Sequence, residues 1–552
     1  MSKMLRNALD FVRARTLRLG RSADAACGDR RSDMLLGVLV LALLSYSWMF
    51  SEISVPNERS RVYLAVAMVD HGTLSIDEPV RRYGEIYDRA RRDGHYYTDK
   101  APGSSLLAAV PYWVARRFTE PSDWRIHELV NLMRTWVMLP VSLIGFLWLR
   151  RFLRRLRLGP PAIDVASLGW ILGTSAFHYG SAFYGHQLVA VCLLGALALA
   201  HDAERAQEES GRGRAVHLSM LGAGMLAGFA GLTEYQAGIP AAMLALYVVA
   251  GPVRKRPLAL VTFISGALPF ALLLFGYNTL AFGGPLKLSY QFLIDPSLRE
   301  LHGQGIGGVA APHWDYAVGG LFSLHRGFFA TSPLLLLALP GIVVLWRRGA
   351  RRLSVLVGAA LFYFLLFISS TKIWYAGWGF GPRLLVPVMA WTAVPVAACI
   401  DAMERWPIAS GFARGLALFG ILIHQAVHAV FAELPEGATN PLIDAVLPAL
   451  RSGHVSPNLI SRVFAVHGWK SLLPLAVLVL FAACVVVLRG GRETRRSLRA
   501  WWAGTAIATV LLCAVPSMWA KPGWAAHEVK RFTQWMAQLE ATEEMLRRPH
   551  RP

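Results

Sequence analysis

Apolar runs of some 15 to 20 residues recur along this chain, centred on 34–51, 128–149, 162–180, 185–201, 216–235, 237–250, 258–280, 332–346, 353–370, 384–402, 413–432, 469–488 and 501–519. An α-helix rises 1.5 Å per residue, so about twenty residues cross a hydrocarbon core of roughly 30 Å. The pattern predicts an all-α polytopic membrane protein with about 13 transmembrane helices. One segment resists this reading: 101–116 is short and carries Pro102, Gly103 and Pro111.

Charge decides how that segment lies. If 101–116 crossed, Arg150, Arg151, Arg154, Arg155 and Arg157 would fall on the side opposite the basic N-terminal tail. If it lies in the interface, all the basic loops fall on one side: the tail 1–33, 150–157, 205–214, 254–256, 347–352, 405–414 and 489–499. The non-crossing arrangement is therefore expected, with those loops cytoplasmic. A transmembrane domain over 34–519 then exposes three outer segments, 52–127, 281–331 and 433–468, followed by an outer tail, 520–552. Run 34–51 has no small-residue cleavage pattern at Ser45-Tyr46-Ser47-Trp48, which favours a retained helix.

Composition agrees: 55% of the residues are hydrophobic and 16% charged, against about a quarter charged in soluble domains. The formal net charge of +21 is spread over the loops between apolar runs, so topology explains it and nucleic acid is not an expected partner. Five cysteines, four of them in apolar runs, make neither a disulfide framework nor a metal-ligand spacing.

The first outer segment concentrates polar chemistry. Asn57 is placed to cap a helix over 58–71 ended by Gly72, with Val62, Ala65, Val66 and Val69 on one face along the membrane surface. Asp93-Gly94 is a hairpin turn signal between 86–89 and 95–98, which would deliver Asp99 and Lys100 to the start of the interfacial segment.

Asn57-Glu58-Arg59-Ser60-Arg61 and Gly94-His95-Tyr96-Tyr97-Thr98-Asp99-Lys100-Ala101-Pro102 resemble motifs of the GT-C class of membrane glycosyltransferases. The likeness is to the branch of aminoarabinose transferases, bacterial protein mannosyltransferase-like proteins and Rgt-type galacturonosyltransferases. It covers most of the chain in layout and only short motifs in residues. Asn57 stands where that branch usually has aspartate, Ala101 replaces a first proline, and Tyr184-Gly185-His186 stands where many relatives place an acid. The resemblance implies transfer of a sugar from a polyprenyl-phosphate donor to a lipid, glycan or protein acceptor at the periplasmic face of a bacterial inner membrane. Glu58 would then be the carried-over acid and Lys100 the carrier-phosphate ligand. Which acid serves as base, and whether a divalent metal takes part, stays open.

The chemistry asks for the same residue types: a carboxylate to take the acceptor proton, and cations to stabilise phosphate as the glycosidic bond breaks. Glu58 and Asp99 suit the first task; Lys100, Arg383, Lys372 and Arg326 suit the second. Tyr97, His186, Glu234, Trp374 and Trp378 are candidate substrate contacts, and Gly377, Gly379 and Gly381 allow close backbone approach beside Trp374, Tyr375 and Trp378. His178 sits at a further outer helix end. Each has a structural alternative: Glu58 pairing with Arg61, Asp99 with Lys100, Arg383 snorkelling, the aromatics forming an interfacial belt, and the helix-end histidines and Glu234 merely hydrated. A secondary transporter or lipid-linked glycan flippase is the competing class; it would carry ionisable groups and broken helices at the bilayer midplane, often in repeated halves. In the tail, Val529, Phe532, Met536 and Leu539 at helical spacing suggest docking.

Overall fold

The computed structural model describes residues 30–47, 54–120, 124–208, 213–305, 307–435, 437–438, 440–489, 498–518, 527–534 and 536. The basic tail up to residue 29, the arginines at 492–496 and Leu539 lie outside the described residues. The thirteen apolar segments are helical over most of their described length. Among the described residues, eight helices are long and apolar enough to cross a membrane: Ile126–Arg155, Gly185–Gln207, Gly213–Thr233, Pro257–Phe282, Arg351–Ser369, Arg383–Met403, Pro407–Val430 and Gly468–Leu488. The protein is thus all-α and polytopic, with a two-stranded hairpin, Arg89–Arg92 paired to His95–Thr98, in its first polar segment.

The remaining apolar segments are shorter or interrupted, and the interruptions matter. The helix expected over 162–180 breaks at Thr174 into Pro160–Gly173 and Ala176–Ser181. Thr174 is extended, and its hydroxyl accepts the Ala176 N–H at 3.1 Å, replacing a helical bond with a local turn. A second break at Glu234 separates Gly213–Thr233 from Tyr235–Val249. Both breaks turn polar side chains toward one end of the bundle.

Arg383–Met403 is the central helix, with 89% of its apolar window buried. It packs on Pro160–Gly173, Gly185–Glu208 and Ala338–Arg347. Gly341 permits the last contact, since a Cβ there would lie 2.0 Å from the Pro395 carbonyl oxygen. Gly213–Thr233 and Pro257–Phe282 approach as closely: a Cβ on Gly224 would meet the Phe263 carbonyl oxygen at 1.9 Å, and one on Gly228 the Ala267 carbonyl oxygen at 2.7 Å. Glycines four apart are how helices pack in lipid, where close backbone contact replaces the hydrophobic effect.

Acids and arginines meet at the end of the bundle that carries the basic loops. Arg150 bridges Asp33 at 2.6 Å and Asp164 at 2.7 Å; Arg348 pairs with Asp401, Arg352 with Glu204 and Arg414 with Glu404. From Arg383 to Asp401 along the central helix is eighteen residues, or about 27 Å. Two polar layers therefore lie about one hydrocarbon thickness apart.

Segment 101–116 forms the helix Gly103–Ala115. At thirteen residues it reaches only about 20 Å, too little to cross. Val110, Trp113 and Val114 are exposed, whereas Tyr112 donates to Asp70 at 2.7 Å and packs toward the preceding helix, Pro56–His71. That preceding helix differs from expectation. Val55 is its cap and Asn57 lies inside its first turn, because Pro56 can start a helix and Glu58 reaches back toward the Val55 N–H at 3.4 Å. It is buried on nearly every side, from Asn57 and Glu58 through Ser60 to Ala67, so it is enclosed by protein. In the tail, Phe532 and Met536 enter the main core, the Phe532 ring 6.2 Å from that of Phe431.

Candidate active site

The hairpin delivers the first charges. Asp93 and Gly94 take positive φ values of 51° and 88°, the two-residue turn that the pair Asp-Gly favours, and Arg92 faces His95 across it. Ser60 on the enclosed helix holds both strands, donating to the Asp88 carbonyl at 2.6 Å and sharing a 2.7 Å hydrogen bond with the Thr98 hydroxyl. Ser289 donates to the Asp99 carbonyl at 2.7 Å. Asp99 and Lys100 are thereby fixed where the Gly103–Ala115 helix begins.

Lys100 Nζ lies 2.7 Å from Asp99 Oδ2 and 3.0 Å from Asp88 Oδ2, so one ammonium serves two carboxylates. The two acids respond in opposite directions. Burial and the neighbouring Asp88 charge push Asp99 above the usual carboxylate range despite Lys100. Asp88 resists its own burial because Lys100, Arg383 and Arg61 outweigh it, and it titrates below that range. Lys100, desolvated but facing both acids, is held above its ordinary value.

Beside this trio, Arg61 Nη2 donates to Glu234 Oε1 at 2.7 Å, its Nε donates to Ser104 Oγ at 3.0 Å, and Nη1 donates to Asn57. The break after Thr233 aims Glu234 here, 3.8 Å from His186 Nδ1. Arg61 therefore pairs with Glu234 and not with Glu58. Asn57, standing where the resembled branch has an acid, is a neutral partner to the same arginine.

Glu58 occupies a separate, fully buried compartment. Both its oxygens accept from Arg134, with Nε at 2.8 Å, and Oε1 also accepts the Phe183 N–H at 2.8 Å. Neither side chain has any exposed surface. Arg134 opens a π-helical turn, Arg134–Met138, inside the Ile126–Arg155 helix, and that local widening accompanies its inward guanidinium.

Arg383 starts the central helix and stands near Asp88 and His186. Its guanidinium lies 5.5 Å over the Tyr184 ring, and its Nε has no hydrogen-bond partner among the described residues. Arg383, Lys100 and Asp88 are surrounded by protein yet keep some accessible surface. His186 Nδ1 and both amide atoms of the fully buried Gln187 also lack hydrogen-bond partners among the described residues.

The loop before Arg383 is pinned across this end of the bundle. Arg326 donates to the Gly377 carbonyl, His325 Nε2 contacts the Gly379 carbonyl at 3.0 Å, and the Gly379 N–H donates to the Leu434 carbonyl at 2.9 Å. Gly377, Gly379 and Gly381 take φ values of 77°, 138° and 75°, which only glycine adopts without strain. Below the loop, Glu433 Oε1 accepts from Tyr184 at 2.9 Å and contacts His178 Nε2 at 2.8 Å.

The structure thus gathers Asp99, Lys100, Glu234, His186 and Arg383 in one cluster. Other expected contacts stand apart. Lys372 is exposed, and Trp378 is 48% exposed. Trp374 packs its ring over Gly319. Arg326 is spent on the loop backbone, and Tyr97 packs edge-on to Phe282 at 5.8 Å. Sequence reasoning missed Asp88, the pairing role of Arg134, and Glu433 with Tyr179. Asp88 had one signal, an acid within a strand of the hairpin already marked; Glu433 had only its position just past an apolar run.

The fold and this cluster define a multi-pass membrane protein with a charged, enclosed site at one end of its bundle. No family model matches the chain, and no curated protein matches it. Among solved structures it is similar to ArnT from Cupriavidus metallidurans bound to undecaprenyl phosphate, with a TM-score of 0.49 at 16% identity over 89% of this chain and 77% of that one. It is also similar to the Archaeoglobus fulgidus oligosaccharyltransferase in complex with Zn and sulfate, with a TM-score of 0.47 at 13% identity over 74% of this chain and 54% of that one. For a metal the fit is poor. Among the described residues no three His, Cys, Asp or Glu side chains converge, and Asp88, Asp99, Glu58 and Glu234 are each matched to lysine or arginine.

Proposed function

We propose that this protein is a glycosyltransferase that moves a sugar from a polyprenyl-phosphate donor to a hydroxyl of a lipid, glycan or protein at the extracytoplasmic face of a bacterial inner membrane. One observation carries the reading. Lys100 and the incompletely bonded Arg383 stand in one charged cluster with Asp88 and Asp99, about one hydrocarbon thickness from the layer of basic loops. A lipid phosphate at the membrane surface needs such cations, and the acceptor needs such a carboxylate.

In the reaction, Lys100 and Arg383 bind the donor phosphate. Asp99, the acid with raised proton affinity, takes the acceptor hydroxyl proton. The acceptor oxygen bonds to the anomeric carbon, and the bond from that carbon to the phosphate oxygen breaks. Its electron pair stays on the phosphate, where the two cations stabilise the added charge. Asp88 keeps Lys100 ionised and in place, while Arg61 and Glu234 pair beside them. The layering of ionisable groups at the two ends of the bundle supports a transferase over a transporter, whose sites sit near the midplane.

The test is transfer from synthetic polyprenyl-phosphate sugars by the purified protein in lipid nanodiscs, followed by mass spectrometry of the cell's glycolipids with and without the protein. Movement of a lipid-linked sugar across proteoliposomes with no new glycoside formed would replace this reading with a flippase.

A further inference from the structure

Arg383 is held differently from the other enclosed cations at this end of the bundle. Arg61, Arg134 and Lys100 each face a carboxylate within 3.0 Å. The Arg383 side chain has neither an ion pair nor a hydrogen bond among the described residues, and its Nε is enclosed without a partner. What it has is an aromatic face: the guanidinium carbon lies 5.5 Å from the centre of the Tyr184 ring, within cation–π range. An arginine fixed by a ring keeps its N–H donors for a ligand.

Tyr184 is itself fixed from several sides. It lies in the linker between the helices Ala176–Ser181 and Gly185–Glu208, where the preceding Phe183 N–H is bound to Glu58. Its ring is buried, with Tyr179 edge-on at 5.1 Å and His186 stacked at 6.2 Å. Its hydroxyl donates to Glu433 Oε1 at 2.9 Å, and His178 Nε2 meets the same oxygen at 2.8 Å. Burial pushes Glu433 up, but His178 and Arg383 more than offset it, so the carboxylate is ionised. Burial and the Glu433 charge push the Tyr184 phenol above its ordinary value, so it keeps its proton and donates. A phenol that donates to an anion gathers negative charge on its oxygen and ring, which strengthens the pull of the ring face on a cation.

We propose that Tyr184 is a positioning residue for the donor phosphate: its ring, polarised by Glu433, holds the Arg383 guanidinium ready to bind that phosphate beside Lys100. This rests on the glycosyltransferase reading above, in which Arg383 is a phosphate ligand. A carboxylate in direct contact with Arg383 would compete with the phosphate for its donors, whereas a ring fixes the cation without neutralising it. Neither Tyr184 nor Glu433 touches the reacting atoms in this arrangement. Their loss is therefore felt wherever Arg383 acts, in donor affinity and turnover, and not in affinity for the acceptor.

The experiment measures the Kd of sugar-free polyprenyl phosphate for the full-length protein in nanodiscs, together with the KM of donor and of acceptor in the transfer assay. Tyr184→Leu removes the ring and is expected to weaken lipid-phosphate binding and raise the donor KM about tenfold, with the acceptor KM within about twofold of wild type. Tyr184→Phe keeps the ring and loses the hydroxyl, while Glu433→Gln keeps an acceptor for Tyr184 and loses the charge. Each should weaken lipid-phosphate binding by about twofold to fivefold, and these near-isosteric changes carry the test if Tyr184→Leu does not fold. Arg383→Gln completes a double-mutant cycle: in that background neither Tyr184→Leu nor Glu433→Gln should weaken binding further, whereas a merely structural tyrosine would cost the same factor with or without Arg383. Unchanged lipid binding in the Tyr184 and Glu433 variants, or equal losses in both backgrounds, overturns the inference and leaves the transferase reading intact. Wild-type binding by Arg383→Gln overturns the inference together with the phosphate role of Arg383. Failure of wild type to bind polyprenyl phosphate or to transfer from any donor overturns the transferase reading, and the inference with it.

Discussion

Arg134 grips both oxygens of Glu58 in a pocket that exposes neither side chain. With the Phe183 N–H also on Oε1, the carboxylate is held in place on both sides. The pair ties the enclosed helix Pro56–His71 to the long helix Ile126–Arg155 and, through Phe183, to the linker between Ser181 and Gly185. Removing one partner strands a buried charge, a loss of about 3 to 5 kcal/mol, whereas removing both costs less. Glu58→Gln is therefore expected to lower the detergent melting temperature clearly, and Glu58→Gln with Arg134→Met to recover part of it. Thermal melts of the two variants and the wild type check this; equal melting of all three would remove the pair from the list of stabilising contacts.

Lys100 is shared between two acids and the proposed donor phosphate, so its charge has more than one use. Lys100→Met leaves Asp88 and Asp99 facing each other without their cation. Transfer is expected to fall at least about a hundredfold, because both phosphate stabilisation and the proton balance of the carboxylates change. Lys100→Arg keeps the charge but not the compact ammonium geometry, and should retain a measurable fraction of kcat with a raised KM. Steady-state kinetics on both variants separates the two effects.

Much of this arrangement is written in the chain, and the rest is not, for a physical reason. Periodicity and length located the helices, and Asp93-Gly94 located the hairpin because a two-residue turn is a local property. Asp99, Lys100 and Arg383 stood out as charges beside turns or proline at helix starts. The break at Glu234 falls within two residues of the gap expected between runs 216–235 and 237–250, whereas the break at Thr174 was not legible, since it depends on what the unwound backbone meets across the bundle. Pairings were still less so: Arg61 reaches Glu234, 173 residues away, instead of its i−3 neighbour Glu58. Sequence favours the near partner because it contains no information on which acid another helix will bring.

The approach of Gly213–Thr233 to Pro257–Phe282 leaves no room for a side chain at Gly224, where a Cβ would overlap the Phe263 carbonyl. Gly224→Val would force these helices apart and shift the break that carries Glu234. The expected result is a loss of about 1 to 3 kcal/mol, seen as a lower melting temperature. Gly276→Ala, in the same helix pair but with open space around it, should melt like wild type.

The opposed shifts of Asp88 and Asp99 give a pH prediction whose sign can be worked out. Asp99, pushed up by burial and by the Asp88 charge, must be ionised to take the acceptor proton. Transfer should therefore fall, as pH drops, through a value above the ordinary carboxylate range of about 4. Asp88 is depressed, so its contribution to the fold is present above that ordinary value and is lost as pH falls through its lower native one. Asp88→Asn removes the charge that raises Asp99 and leaves Lys100 to Asp99 alone. Both changes favour the ionised form of Asp99, so the acid limb of kcat/KM should move to lower pH. If the limb stays where it is, Asp99 is not the group that titrates; if it moves up, the coupling between the two acids has the opposite sign. A pH profile of kcat/KM for wild type and Asp88→Asn, taken with a saturating acceptor, distinguishes these results, and it does so without touching the residue assigned as the base.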